Sequence, residues 1–325
     1  MALSDNSRGA MLMSLAMASF ACNDAIVKSM TTELTIAQIM AVRGLMTTCL
    51  VFLVARRMGA DLSWQTLKNR HVLVRILFEL GATLTFFSAL SRIEFATASS
   101  IMQSLPLAVT LGAALFFGEP VGWRRWAAIV VGFLGVLLVI RPGPEGFAPA
   151  ALFAVAAVFF TASRDLATRR VSAHIPSLTI TLYTAGANAL LGALLIVPMG
   201  GWQPVSTATF GHLALTSVLV FAGYQAVIMA MRCGEISFVA PFRYTSLIWA
   251  LLIGMFVFGE DLSASMLGGA AVIIASGLYT FMRENKKRRM LAETAGIVLA
   301  AKSAKAAPDT DVSTGAAAVS RESGR

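Results

Sequence analysis

The chain reads as an all-α integral membrane protein, ten transmembrane helices built as two five-helix units of opposite orientation. Three observations predict this. Of its 325 residues, 57% are hydrophobic and only 13% charged, with a mean hydropathy of +0.74; a soluble domain carries about 25% charged residues and needs a polar coat that this composition cannot supply. Apolar stretches close to the ~20 residues that cross a bilayer recur along the whole chain. Finally, the sequence matches itself at an offset of 141 residues.

Taken in order, the expected spans are residues 10–27, 36–55, 72–90, 96–117, 126–140, 148–163, 176–197, 212–231, 237–258 and 266–282. Short connections rich in Gly, Pro or charge separate them, among them Arg141-Pro-Gly-Pro-Glu-Gly146 and Met199-Gly-Gly-Trp-Gln-Pro204. Pro106 should disturb the fourth span, with Gln103 and Ser104 one turn before it, and Pro241 the ninth. The carbonyls a proline frees are tolerated only where they are buried in protein or face a cavity. The first span, after Arg8 and running to Ala21-Cys22, also has the outline of a secretory or lipoprotein signal. Ser19-Phe20-Ala21 fits lipoprotein cleavage poorly, however, and the internal repeat needs this helix. Beyond Arg289 the composition turns Ala-, Ser- and Lys-rich; a short surface helix over 290–301 is compatible with it, and 290–325 is expected to form a disordered cytoplasmic tail.

Orientation follows from the basic residues. With the N-terminus inside, inner segments collect Arg8, Arg56, Arg57, Lys68, Arg70, Arg75, Arg124, Arg125, Arg164, Arg169, Arg170, Arg232 and the cluster from Arg283 to Arg289. Outer connections hold only Lys28, Arg92 and Arg141. The positive-inside rule therefore places both termini in the cytoplasm of a cell inner membrane protein. This distribution also accounts for the net charge of +9 without nucleic acid as a partner.

At the 141-residue offset Asp24 meets Asp165, Leu50 meets Leu191, Gly59 meets Gly200, Ala89 meets Ala230 and Glu94 meets Glu235. Phe117-Gly118-Glu119 falls on Phe258-Gly259-Glu260. The units are 9–141 and 148–283. Five spans is an odd number, so the second unit enters the membrane from the opposite side, a construction typical of secondary transporters with a site near the midplane.

These features resemble the drug/metabolite transporter superfamily, in its EamA-repeat branch with ten helices. The resemblance rests on the two Phe-Gly-Glu turns, on the glycine-rich span 126–140 ending in Arg141-Pro142, and on the repeat. Asn23-Asp24 followed by Arg43-Gly44, and Ala240-Pro241-Phe242-Arg243-Tyr244, look like the riboflavin and S-adenosylmethionine importers of that branch. The resemblance implies a small-molecule substrate moved by alternating access.

Charges inside a bilayer cost on the order of 2.5–3.5 kcal/mol each, so each needs a reason. By depth, Asp24 pairs with Arg43 near the outer side and Glu79 with Arg243 near the inner side; both pairs are either structural or part of a substrate-lining surface. Arg43, Glu79, Gln103, Tyr224, Gln225, Arg243, Tyr244 and Trp249 are the candidate binding residues, and Asp24 and Glu79 the candidates for gating or proton coupling. Tyr183 shares the aromatic set, which suits a planar heterocycle but equally suits packing. Glu119 and Glu260 read as turn residues, Glu94 and Glu235 as helix caps. Cys22, Cys49 and Cys233 form no CxxC pair, and His71, His174 and His212 have no shared spacing, so neither metal nor cofactor is expected. No nucleotide-binding or hydrolase motif occurs. An enzyme on lipid-linked substrates would need longer loops, and a scaffold would not need buried arginines. The formal charges of Asp24, Glu79, Arg43 and Arg243 cancel, which favours neutral or zwitterionic cargo, with riboflavin ahead of S-adenosylmethionine and of amino acids or other metabolites. The direction of transport stays open, as does the choice between monomer and homodimer.

Overall fold

A computed structural model describes residues 5–59, 62–119, 121–141, 148–172, 174–233 and 235–306. Every described element of regular structure is helical: α1 (Asp5–Met30), α2 (Ile36–Arg57), α3 (Arg70–Leu90), α4 (Phe95–Met102), α5 (Leu105–Phe117), α6 (Trp123–Ile140), α7 (Ala151–Thr168), α8 (Ser177–Leu195), α9 (Thr207–Cys233), α10 (Ile236–Val239), α11 (Thr245–Val257) and α12 (Ala264–Ala306). They supply ten helical segments long and apolar enough to cross a membrane, the fourth being α4 with α5 and the ninth the turn at Ala240 with α11. A first compact unit runs to Thr280 and a second begins at Phe281. Helix α12 covers the stretch 290–301 for which the sequence allows a surface helix. Pro142, Glu145 and the tail from 307 lie outside the described residues.

The halves interlock rather than sit side by side. Helix α1 packs along α9, α3 along α7, and α2 along α8. Under the 141-residue offset α1 corresponds to α7 and α3 to α9, so the first two pairings are the same contact made twice and the third lies across the pseudo-symmetry axis. Small residues set that crossing. A Cβ at Gly44 would stand 2.6 Å from the Ala189 backbone nitrogen, and one at Gly192 would strike the Ala41 backbone. Association inside a bilayer has no hydrophobic driving force, so close approach of backbones has to supply the contact. Leu15, Leu53, Leu77, Phe116 and Val130 are left exposed to face lipid.

The repeated landmarks have a backbone cause. Gly118 and Gly259 both have φ of +63°, and Gly59 and Gly200 have +64° and +112°, a region that costs a residue with a Cβ far more than glycine. The two prolines mark equivalent discontinuities. Helix α4 ends at Gln103–Ser104, where i→i+3 bonds from Gln103 N to Ser100 O (3.2 Å) and Ser104 N to Ile101 O (3.0 Å) tighten the turn. Pro106 then sits at the start of α5. In the second half a 3₁₀ turn over Ala240–Tyr244 leads into α11. The offset places Gln103–Ser104 on Tyr244–Thr245, and the two breaks touch: Gln103 Nε2 donates to Ser246 Oγ at 2.6 Å.

The sixth span departs from the sequence reading. It extends through Thr168 rather than stopping at 163, which brings Arg164 and Asp165 into the helix. The charges are tolerated there because they are paired with each other and with Glu79.

Candidate substrate cavity

Helices α2 and α3 of the first half and α8 and α9 of the second enclose a cavity of about 310 Å³. Arg43, Arg75, Glu79, Asn188 and Tyr224 contribute its polar wall, and Phe87 with Met40 part of its apolar one. It reaches the exposed residues Thr168 and Ser177, at the end of the bundle where α7 finishes and α8 begins.

The three arginines of this region differ in what they hold. Arg164 Nη1 meets Glu79 Oε2 at 2.8 Å, and its Nη2 meets Asp165 Oδ1 at 2.8 Å. Arg75 donates to hydroxyls, from Nε to Thr168 Oγ1 at 3.1 Å and from Nη1 to Thr184 Oγ1 at 2.9 Å. Arg43 lies over the Phe87 ring, 5.3 Å from its centroid, and its Nε is buried with no hydrogen-bond partner among the described residues. Asn188 donates from Nδ2 to Thr184 O at 3.1 Å, while its Oδ1 is buried without a donor. Tyr224 stands edge-on to Phe20, 5.3 Å between centroids.

Of the residues nominated from sequence, the cavity brings together Arg43, Glu79 and Tyr224. The others lie elsewhere. Glu79 pairs with Arg164, not with Arg243; Arg243 is an exposed residue of the 3₁₀ turn, which packs on α1, α10 and α11. Gln103 is taken up by the helix break, and the Tyr244 hydroxyl lies against Gly277. Gln225 and Trp249 do not line the cavity. Tyr183 donates from its hydroxyl to Leu62 O at 3.0 Å. Asp24 is within electrostatic reach of Arg43 but accepts its hydrogen bond from Asn23 Nδ2 at 2.7 Å, with no ion pair to Arg43 within 4.0 Å. Arg75 and Arg164 escaped the sequence reading because each counted as an inner-loop charge. A signal was present nonetheless, since Arg164-Asp165 occupies the offset position of Asn23-Asp24.

At both ends of the bundle an ion pair joins the halves. Lys28 Nζ lies 3.8 Å from Glu260 Oε1, with the two side chains 17% and 8% exposed. Lys28 also donates to Leu90 O (3.2 Å) and Ile93 O (2.6 Å), and Glu260 accepts from the backbone N–H groups of Phe95 and Ala96. The α4 N-terminus is thus capped by Glu260 rather than by the expected Glu94, whose carboxylate accepts from Thr97 Oγ1 instead. A carboxylate gains there from free N–H groups and the positive end of the helix dipole. At the opposite end Arg169 Nη1 meets Glu119 Oε1 at 3.1 Å, but these side chains are 46% and 43% exposed. Aromatic rings stand near both pairs: Lys28 Nζ is 5.5 Å from the Phe258 ring centroid, and the guanidinium of Arg170, the residue after Arg169, is 4.5 Å from that of Phe117.

The model of the EamA-like transporter family matches twice, over residues 7–141 and 148–282. The chain is 29% identical over 220 residues to the riboflavin transporter of Vibrio cholerae, covering 67% of this chain and 73% of that protein. It is 28% identical to the S-adenosylmethionine uptake transporter of Rickettsia bellii, over 66% and 73% of the two chains. It is 26% identical to the pseudopaline exporter CntI of Pseudomonas aeruginosa, over 82% and 94%. A solved crystal structure shares the fold at 18% identity and a TM-score of 0.59, covering 83% of this chain and 95% of the other.

Proposed function

Because the chain belongs to the EamA-like transporter family, a family of membrane transporters rather than enzymes, we propose that it is a secondary carrier. It moves a small organic metabolite across the cell inner membrane by alternating access, with the cavity between α2, α3, α8 and α9 as its binding site. Both termini face the cytoplasm, and the tail 290–325 lies outside the transport unit. Riboflavin and S-adenosylmethionine are the first cargoes to test, since two of the relatives carry those names and Phe87 and Tyr224 offer ring faces beside the polar wall.

One observation carries the reading: equivalent cross-half ion pairs occupy the two ends in unequal environments. Lys28–Glu260 is buried and tied to the α3–α4 connection; Arg169–Glu119 is exposed, at the end towards which the cavity opens. Two similar halves can exchange these arrangements. In the alternate state Glu119 would cap the backbone at Ile236 and Ser237, the offset equivalents of Phe95 and Ala96, while Lys28–Glu260 would become the exposed, uncapped pair. The open end carries Arg169 and Arg170 and is therefore the cytoplasmic one.

The test needs no cargo. Cys22, Cys49 and Cys233 are replaced by serine, Thr83→Cys is introduced on the cavity wall, and a membrane-impermeant maleimide is offered to intact cells and to inverted vesicles. Glu260→Gln should raise labelling from outside, and Glu119→Gln should lower it, at equal protein level. If both substitutions move labelling in the same direction, or neither moves it, the carrier reading falls.

A further inference from the structure

Resting on that carrier reading, we propose that the cargo bears an anionic oxygen group, a carboxylate or a phosphate, and that Arg43 takes it. The fold redistributes the charges anticipated at the site. Arg243 leaves the set, Arg75 joins the lining, and Arg164 with Asp165 stands behind Glu79. Glu79 is neutralised by Arg164, which also holds Asp165. Arg75 satisfies its hydrogen bonds on two hydroxyls that carry no charge. The lining itself presents two arginines, Arg43 and Arg75, against one carboxylate, Glu79.

Arg43 is the group least provided for. Among the described residues no carboxylate lies within ion-pair distance of it, and Asp24 is engaged by Asn23. Its buried Nε has no acceptor. Contact with the Phe87 ring steadies the guanidinium plane but accepts none of its N–H groups. A planar fork of N–H donors held in that way matches a carboxylate or phosphate bidentately. A buried donor without an acceptor is costly unless something arrives to pair with it, and the lining places Arg43 on the cavity where a cargo can reach it.

Asn188 completes the subsite. Its Oδ1 is buried, lacks a donor and belongs to the same wall. Arg43 and Asn188 immediately precede Gly44 and Ala189, which touch where α2 crosses α8. One donor and one acceptor therefore line the same cavity beside the α2–α8 crossing. The cargo that fits has an anionic group with an N–H or O–H donor beside it. Riboflavin has the donors without the charge, so it yields first place to cargo with a carboxylate or phosphate.

Purified full-length protein in detergent tests this with matched probes: S-adenosylmethionine against its carboxyl methyl ester, and flavin mononucleotide against riboflavin. The readout is the ligand-induced change in Tm for wild type, Arg43→Gln and Arg43→Lys. In wild type the acidic member of at least one pair should raise Tm by several degrees more than its neutral partner. The first pair reports a carboxylate and the second a phosphate. Arg43→Gln should abolish the difference while still melting cooperatively as a folded protein. Arg43→Lys should retain part of the difference. Equal shifts within both pairs, no shift from any probe, or a difference that survives Arg43→Gln overturns the proposal. Such a failure beside intact labelling shifts would leave the carrier reading standing and remove only the anionic cargo.

Discussion

Lys28 and Glu260 stand to each other as Arg169 stands to Glu119: each residue of one pair lies 141 positions from its counterpart in the other, and each pair joins the two halves of the chain. The buried pair is surrounded by backbone partners, and the exposed pair is not. Stability should register the difference. Glu260→Ala strips the caps from Phe95 and Ala96 and leaves Lys28 without its counter-charge, a loss of about 3–5 kcal/mol for a buried pair. Glu119→Ala should cost at most about 1 kcal/mol. Thermal melts in detergent check this, and equal losses would mean that the two ends are not in different states.

The partner of Glu79 can be established by a double-mutant cycle. Arg164→Met should destabilise strongly by leaving Glu79 unpaired, and adding Glu79→Gln should recover part of the loss, Asp165 remaining without its guanidinium. The same cycle with Arg243→Met should be additive within about 0.5 kcal/mol, as for residues without a shared partner. Coupling to Arg243 and none to Arg164 would contradict the cavity geometry.

Gly44→Leu should abolish accumulation of folded protein, because the new side chain meets the Ala189 backbone where α2 crosses α8. Gly122→Ala is the matched control, at φ −68° with open space around it. Membrane expression and detergent melting separate the two; a well-folded Gly44→Leu protein would deny that this crossing is tightly packed.

Reporter fusions after Arg57, Arg125, Arg170 and Arg283 should read as cytoplasmic, and fusions after Glu94 and Gly201 as external. A cytoplasmic signal at Gly201 would remove the opposed orientation of the two halves, and with it the exchange of end pairs on which alternating access rests.

The number of spans, their order, the duplication and the glycine turns were legible in the sequence, because each is a local or periodic property. A bilayer demands about 20 apolar residues per helix wherever that helix ends up, and a left-handed turn demands glycine whatever lies across from it. Pairing is different in kind. Depth along a helix limits which charges can meet, but the rotation of each helix and the choice of its neighbour decide which do. Depth alone matched Glu79 with Arg243. Packing of α3 along α7 gave it Arg164, and extension of α7 to Thr168 turned a loop charge into part of the protein interior. Glu119 and Glu260 read as residues of two similar turns, and only the interlocking of the halves made them cross-half partners of Arg169 and Lys28. Tertiary structure also decided which arginine stayed uncommitted, since a guanidinium is free or spent according to the acceptors that other helices bring within a few ångströms.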